Sequence, residues 1–257
     1  MPVINIANPT RFLAIVSRVL PWLIAATVIL FAVGLYRAVN APDDYQQGAT
    51  VKIMFLHVPS AWLGMAGWGL MSVAALGTLV WRHPLADVAG KAVAPIGAAF
   101  TFLCLVTGSL WGRPTWGTYW VWDARLTSVL VLFLLYLGVL ALYATAEEPG
   151  RGARAAAILS LVGAVNLPII KFSVDWWNTL HQGESIFRSG GSTIDQSIMT
   201  PLLIMTAAFT LLFLTLLLAA MRNEILRRRV RAMQMIAAQS AHDPEKWAPV
   251  FGQDHAQ

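Results

Sequence analysis

The chain has a single cysteine, Cys104, set inside an apolar run. One thiol can form no internal disulfide and no Cys-rich metal or iron–sulfur site. As a small hydrophobe it suits a packed interior. Charge is also scarce: 12% of the 257 residues are charged and 57% are apolar. A soluble protein of this length has nowhere to hide that much apolar surface. With a mean hydropathy of +0.62, the class is integral membrane protein. The net charge of +5 excludes little by itself, but its cations sit beside apolar runs. That pattern fits membrane orientation and not a nucleic-acid surface. No HExxH, P-loop or GxGxxG occurs, and no outer Ser–His–acid trio announces itself. The expectation is therefore a binding subunit, not an enzyme. There is no repeat, no low-complexity stretch and no soluble domain.

What the chain does have is long hydrophobic runs. Six are expected to span: Val19 to about Val39, Ile53 to Trp81, Ala92 to Leu110, Leu126 to Ala146, Ala155 to Phe172, and Ile198 to Met221. The first is too long for a signal-peptide core and reads as an uncleaved span. The predicted fold is all-α and polytopic, with a membrane domain over residues 1–225 and a polar, basic tail over 226–257. Six spans place both termini on one side. The N-terminus, 82–91, 147–154 and the tail hold twelve Lys and Arg: Arg11, Arg18, Arg82, Lys91, Arg151, Arg154, Arg222, Arg227, Arg228, Arg229, Arg231 and Lys246. The opposite side holds six: Arg37, Lys52, Arg113, Arg125, Lys171 and Arg188. The richer side is expected to be cytoplasmic. The 40–52 loop, the 111–127 stretch and the 173–197 loop then face outward together.

Between the third and fourth runs lies Trp111 to Thr127, WGRPTWGTYWVWDARLT, with four Trp in seventeen residues. Gly112, Pro114 and Gly117 interrupt it, so it reads as an aromatic connector and not as a span. Trp111, Trp116, Trp120 and Trp122 form either an interfacial belt or a flat platform for a ligand. If Pro114–Asp123 is helical, Trp116 and Trp120 share a face. Asp123 is placed to cap the fourth helix.

The five histidines divide by side. His83, His242 and His255 fall on the expected cytoplasmic side. His57, at the head of the second run, and His181, in the Trp-rich loop before the sixth, face outward. A lone interfacial His is an ordinary capping residue, but two beside a Trp platform suggest ligation. Neutral imidazole is the commonest metal ligand, and haem iron takes one or two. Trp rings suit the faces of a flat apolar disc, and an Arg suits a propionate. Arg125 is the first Arg candidate for that role, ahead of Arg113, Lys52 and Arg188. The alternatives for Arg125 are snorkelling or pairing with Asp123.

Trp116-Gly117, Trp120, Trp122-Asp123 and Arg125-Leu126-Thr127 resemble the WWD signature of the haem-handling membrane protein family. His57-Val58-Pro59 with Ala61-Trp62 is similar to that family's first outer histidine motif. Asn166-Leu167-Pro168-Ile169, Phe172-Ser173-Val174, Trp176-Trp177 and Leu180-His181-Gln182 are similar to the segment carrying the second. Length and span number match the six-span, cytochrome c maturation branch. Larger branches have more spans and large outer domains.

The resemblance covers about residues 15–225 and implies haem b, bound as cargo at the outer face of a bacterial inner membrane. It implies His57 and His181 as axial ligands, and Trp116, Trp120, Trp122 and Asp123 as the platform that also engages a periplasmic haem chaperone. It further implies an ABC-type ATPase with membrane subunits and a small single-span subunit as partners. Any ATPase activity would be theirs. Two other readings stand beside this one. A b-type cytochrome for electron transfer would carry histidines deeper in its spans. A solute permease would carry ionisable residues along a pathway, and the expected spans hold almost none.

Overall fold

In a computed structural model, residues 8–146, 148–183, 185–186 and 191–241 are described. Arg188, His242, Lys246 and His255 lie outside them. Among the described residues seven α-helices follow one another: α1 Pro9–Val39, α2 Met54–Leu79, α3 Pro84–Trp116, α4 Ala124–Thr145, α5 Pro149–Gly163, α6 Asn166–Trp176 and α7 Gln196–Ala241. A short 3-10 turn, Ala49–Ile53, leads directly into α2. Among the described residues six helical units are long and apolar enough to cross a membrane, with α5 and α6 together forming the fifth.

The helix ends follow local chemistry. Asn8 caps α1 by accepting from the Thr10 N–H at 2.9 Å, and Pro9 stands at N1, where a missing N–H is harmless. Asp123 caps α4 as expected, accepting from the Leu126 N–H at 2.8 Å. The fifth span is one apolar run but two helices. Pro168 has no N–H for the Ala164 carbonyl, and the chain turns at 164–165 before restarting at Asn166. Asn166 secures the restart by donating from Nδ2 to the Ser128 carbonyl of α4 at 2.8 Å.

The α2–α3 hairpin is the centre of the bundle. Its helices approach closely through small residues, as membrane helices do without a hydrophobic force between them. A Cβ on Gly64 would lie 2.6 Å from Thr101 Oγ1, and one on Gly97 would lie 2.1 Å from Tyr136 Oη. Tyr136 fills that notch from α4 and donates to the Gly64 carbonyl at 2.8 Å. The buried Trp68 ring packs edge-on to Tyr136 and donates from Nε1 to the Ser160 carbonyl of α5. Lipid offers no partner to such groups, so the bundle must satisfy them internally. α1 is peripheral and leans on α7, through Thr27–Thr215 at 3.1 Å and the Phe31–Phe209 rings.

Several elements run past their hydropathy boundaries: α1 begins at Pro9, well before Val19, and α3 at Pro84, well before Ala92. α3 does not stop near Leu110; it continues through Trp116, so the first third of the aromatic stretch is helix. α7 does not stop near Met221 and is 46 residues long, about 69 Å at the α-helical rise. The tail expected from 226 therefore begins, through Ala241, as the continuation of a spanning helix.

Candidate functional site

The N-terminal ends of α2 and α4 and the C-terminal end of α3 meet the loop before α7, and His57 and His181 meet there. The ring centres of His57 and His181 are 6.4 Å apart with planes inclined by 32°. His57 lies one turn into α2 and is buried against α3. Its Nδ1 faces the Cys104 carbonyl at 3.1 Å and Thr107 Oγ1 at 3.2 Å. A carbonyl only accepts, so Nδ1 carries the proton. The Thr107 hydroxyl already donates to the Leu103 carbonyl at 2.6 Å, which leaves its oxygen free to accept. Both partners thus fix one tautomer and leave Nε2 with its lone pair, the form a metal ligand needs. His181 repeats the pattern: its Nδ1 faces the Gln182 carbonyl at 3.3 Å. Burial, then the positive charge of Arg125, hold the His181 imidazole below its ordinary pKa. It is therefore neutral at physiological pH.

Space for the His57 ring is made by Gly108 on α3. A Cβ there would stand 2.8 Å from His57 Cε1. Cys104, Thr107, Gly108 and Trp111 are spaced to share one face of α3, and that face is the one turned to His57. Trp111 presents its ring edge-on to His57 at 5.7 Å and donates from Nε1 to Gln47 Oε1 at 2.8 Å, which ties in the 40–52 loop.

The aromatic stretch is divided by its backbone. Gly117 adopts φ +79, a left-handed conformation that suits glycine, and ends α3 with its N–H on the Arg113 carbonyl. Trp116, still helical, lies 6.1 Å from His181. Trp120 comes after the cap, so it does not share a helical face with Trp116. It borders instead, with Leu105, Val106, Ser109 and Leu110, a cavity of about 300 Å³ on the side of α3 away from His57. Its Nε1 is buried without a hydrogen-bond partner. Trp122 packs edge-on to Trp120 and is largely exposed. The platform expected from sequence is thus two surfaces: Trp111 and Trp116 on the histidine side, Trp120 and Trp122 on the other.

Asp123 and Arg125 brace the site. Asp123 Oδ1 caps α4, while Oδ2 accepts from Thr179 Oγ1. Thr179 Oγ1 in turn accepts the His181 N–H at 3.0 Å. The connector therefore holds the loop that carries the second histidine. Arg125 reaches the end of α6, donating to Ser173 Oγ at 3.1 Å and to the Ile170 and Lys171 carbonyls. Arg113 is turned onto the Gly117 carbonyl and the Tyr119 ring, and Lys52 onto the Val39 carbonyl and Asp43. Thr107, Gly108, Thr179 and the Cys104 carbonyl carry no motif signal and emerge only from the packing. Trp111 lay in the expected aromatic platform but not among the residues the resemblance assigns to haem.

Residues 2–236 match the family described as Heme exporter protein C. The chain belongs to that family. A relative of that name from Bradyrhizobium diazoefficiens is 74% identical over 238 residues, covering 93% of this chain and 90% of the relative. One from Escherichia coli K12 is 50% identical over 223 residues, covering 86% of this chain and 90% of the relative. One from Paracoccus denitrificans is 44% identical over 234 residues, covering 91% and 97%. The family match spans all seven helices up to Ile236, including both histidines and the aromatic connector.

Proposed function

We propose that this chain holds haem b as cargo between His57 and His181 at the periplasmic face of the inner membrane, and delivers it to a periplasmic haem chaperone for c-type cytochrome assembly. The observation that carries the reading is the histidine pair. Metal–imidazole bonds are about 2 Å, so two rings on opposite sides of one iron have centres about 6 Å apart; here the distance is 6.4 Å. The donor set agrees. Among the described residues no group of three His, Cys, Asp or Glu gathers around a metal position. A bare ion wants about four protein ligands, whereas haem iron brings four nitrogens of its own and asks the protein for two axial ligands.

Each residue then has a task. His57, on a rigid helix and clamped at Nδ1, offers Nε2 from the membrane side. His181, on the loop before α7, offers the second ligand. Trp111 and Trp116 supply apolar rings beside the pair. Arg125 keeps positive charge close to His181, where it disfavours the imidazolium. Cargo held by two ligands and a few rings, one ligand being on a loop, can be passed on without unfolding the site. Trp120 and Trp122, on the outer surface of the connector, are the surface offered to the chaperone. An ABC-type ATPase, its membrane subunit and a small single-span subunit would complete the exporter.

The test is an absorption spectrum of the purified chain beside His57→Ala and His181→Ala. The expected result is a Soret band with sharp reduced α and β bands, diminished or shifted in both variants. Wild-type spectra in both variants would overturn the histidine assignment.

A further inference from the structure

The end of the bundle opposite the histidines holds a cavity of about 460 Å³ between α3, α4 and α7. α4 and α7 both pack on α3, and the cavity is the groove left over α3 between them. We propose that it is a binding site for an anionic phospholipid, with the phosphodiester at Lys91 and Arg227 and an acyl chain over Pro95, Leu140 and Ala220. This rests on the membrane fold and is independent of the haem reading.

The lining is graded along the helix axes. α3 runs away from this end, so Lys91 is outermost, then Ala92, then Pro95. α7 runs toward it, so Ala220 is deepest, followed by Asn223, Glu224 and Arg227. α4 also runs toward it and places Leu140 deeper than Tyr143. The polar groups therefore form the rim and the apolar groups the floor. That is the polarity of a lipid entering from the headgroup region, and basic pockets between spanning helices are where anionic headgroups bind.

The charges at the rim favour an anion. Glu224 is buried, and its carboxylate is already engaged three times: by Lys91 Nζ at 3.0 Å, by Arg228 Nε at 2.9 Å and by Arg227 Nη2. Arg228 also meets Asp87 at 2.5 Å. Three cations face two carboxylates, so the cluster carries one positive charge in excess. The Arg227 side chain is 47% exposed and meets Glu224 through one nitrogen, which leaves the rest of its guanidinium for a phosphate. Lys91 lies over the Tyr143 ring with its ammonium 5.6 Å from the centroid, at the mouth of the groove.

The full chain, purified in mild detergent, is offered phosphatidylglycerol, phosphatidylcholine or inorganic phosphate, and bound species are counted by native mass spectrometry. One phosphatidylglycerol per chain is expected to survive where phosphatidylcholine does not, with inorganic phosphate failing to displace it. Lys91→Gln and Arg227→Gln should each weaken retention roughly fivefold, the worth of one cation at an anionic headgroup. Because either change also disturbs the Glu224 cluster, Ala220→Trp is the second variant: it fills the floor, leaves the ion pairs intact and should abolish retention with helical content unchanged. Equal retention of the two lipids, or phosphatidylglycerol retained by Ala220→Trp, would overturn the proposal. Displacement by inorganic phosphate would overturn the lipid assignment in favour of a free-anion site.

Discussion

Gly108→Ala gives the sharpest test of how the site is built. The added Cβ would stand 2.8 Å from His57 Cε1 and 3.3 Å from Nδ1. Ordinary carbon contacts begin at about 3.5 Å, so the imidazole has to move by about 0.7 Å or α2 and α3 have to part. Parting is resisted by the contacts below, where Gly64 meets Thr101 and Gly67 meets Gly97 and Tyr136. Overpacking of this kind costs about 1–3 kcal/mol. Replacing a helical Gly by Ala returns about 1 kcal/mol of helix propensity, so the net loss of stability should be about 0–2 kcal/mol. The displacement falls instead on the ring, which is held at 3.1 Å by the Cys104 carbonyl. Loss of such orientation weakens metal affinity about 10- to 100-fold. The assay is haem titration followed at the Soret band, with a thermal melt of the same sample. Gly69→Ala is the control, because its Cβ would meet only Leu167 Cδ1 at 3.9 Å. If Gly108→Ala binds haem with wild-type affinity and an unchanged spectrum, His57 is not the ligand that the packing of α3 prepares.

Three other outcomes are expected. Thr107→Val removes one acceptor from His57 Nδ1, and should lower haem affinity by about tenfold and shift the reduction potential; Thr107→Ser should restore both, and failure of that rescue would make the effect one of packing. Asp123→Ala removes the α4 cap, worth about 1 kcal/mol, and releases Thr179. It should lower the melting temperature and speed haem loss, while Asp123→Asn, which keeps a cap acceptor, should lose less; equal melting and haem release in both variants and wild type would refute the brace. Trp120→Ala should leave haem titration unchanged, since its ring lies on the far side of α3, and should slow transfer to the chaperone. Loading at the wild-type rate would remove Trp120 from the delivery surface.

The site was legible in the sequence to the extent that it was written in residue types. His57 and His181 stood out because two outer histidines beside a tryptophan cluster are an unusual pattern. Asp123 was legible as a cap because capping reaches only three residues along the chain. Trp116 and Trp120 were harder, because their relation depends on where α3 stops. Gly117 stops it one residue after Trp116, and that sends the two rings to different surfaces. Arg125 had three readings in sequence, a propionate partner, snorkelling or pairing with Asp123, and none of them foresaw its donation to the Ser173 hydroxyl and the end of α6.

The sequence alone determined the six spans, because the length of an apolar run and the thickness of a bilayer are both fixed quantities. It determined the grouping of cations at one end, and the cap at Asp123, for the same local reasons. Only the tertiary structure decided which nitrogen of His57 is free, because that depends on a carbonyl 47 residues away. It also decided that Thr179 links Asp123 to His181 across 56 residues, and that Gly108 leaves room for a ring from another helix. Such contacts depend on how deeply helices interlock, and hydropathy, which reports only which residues avoid water, carries no record of that.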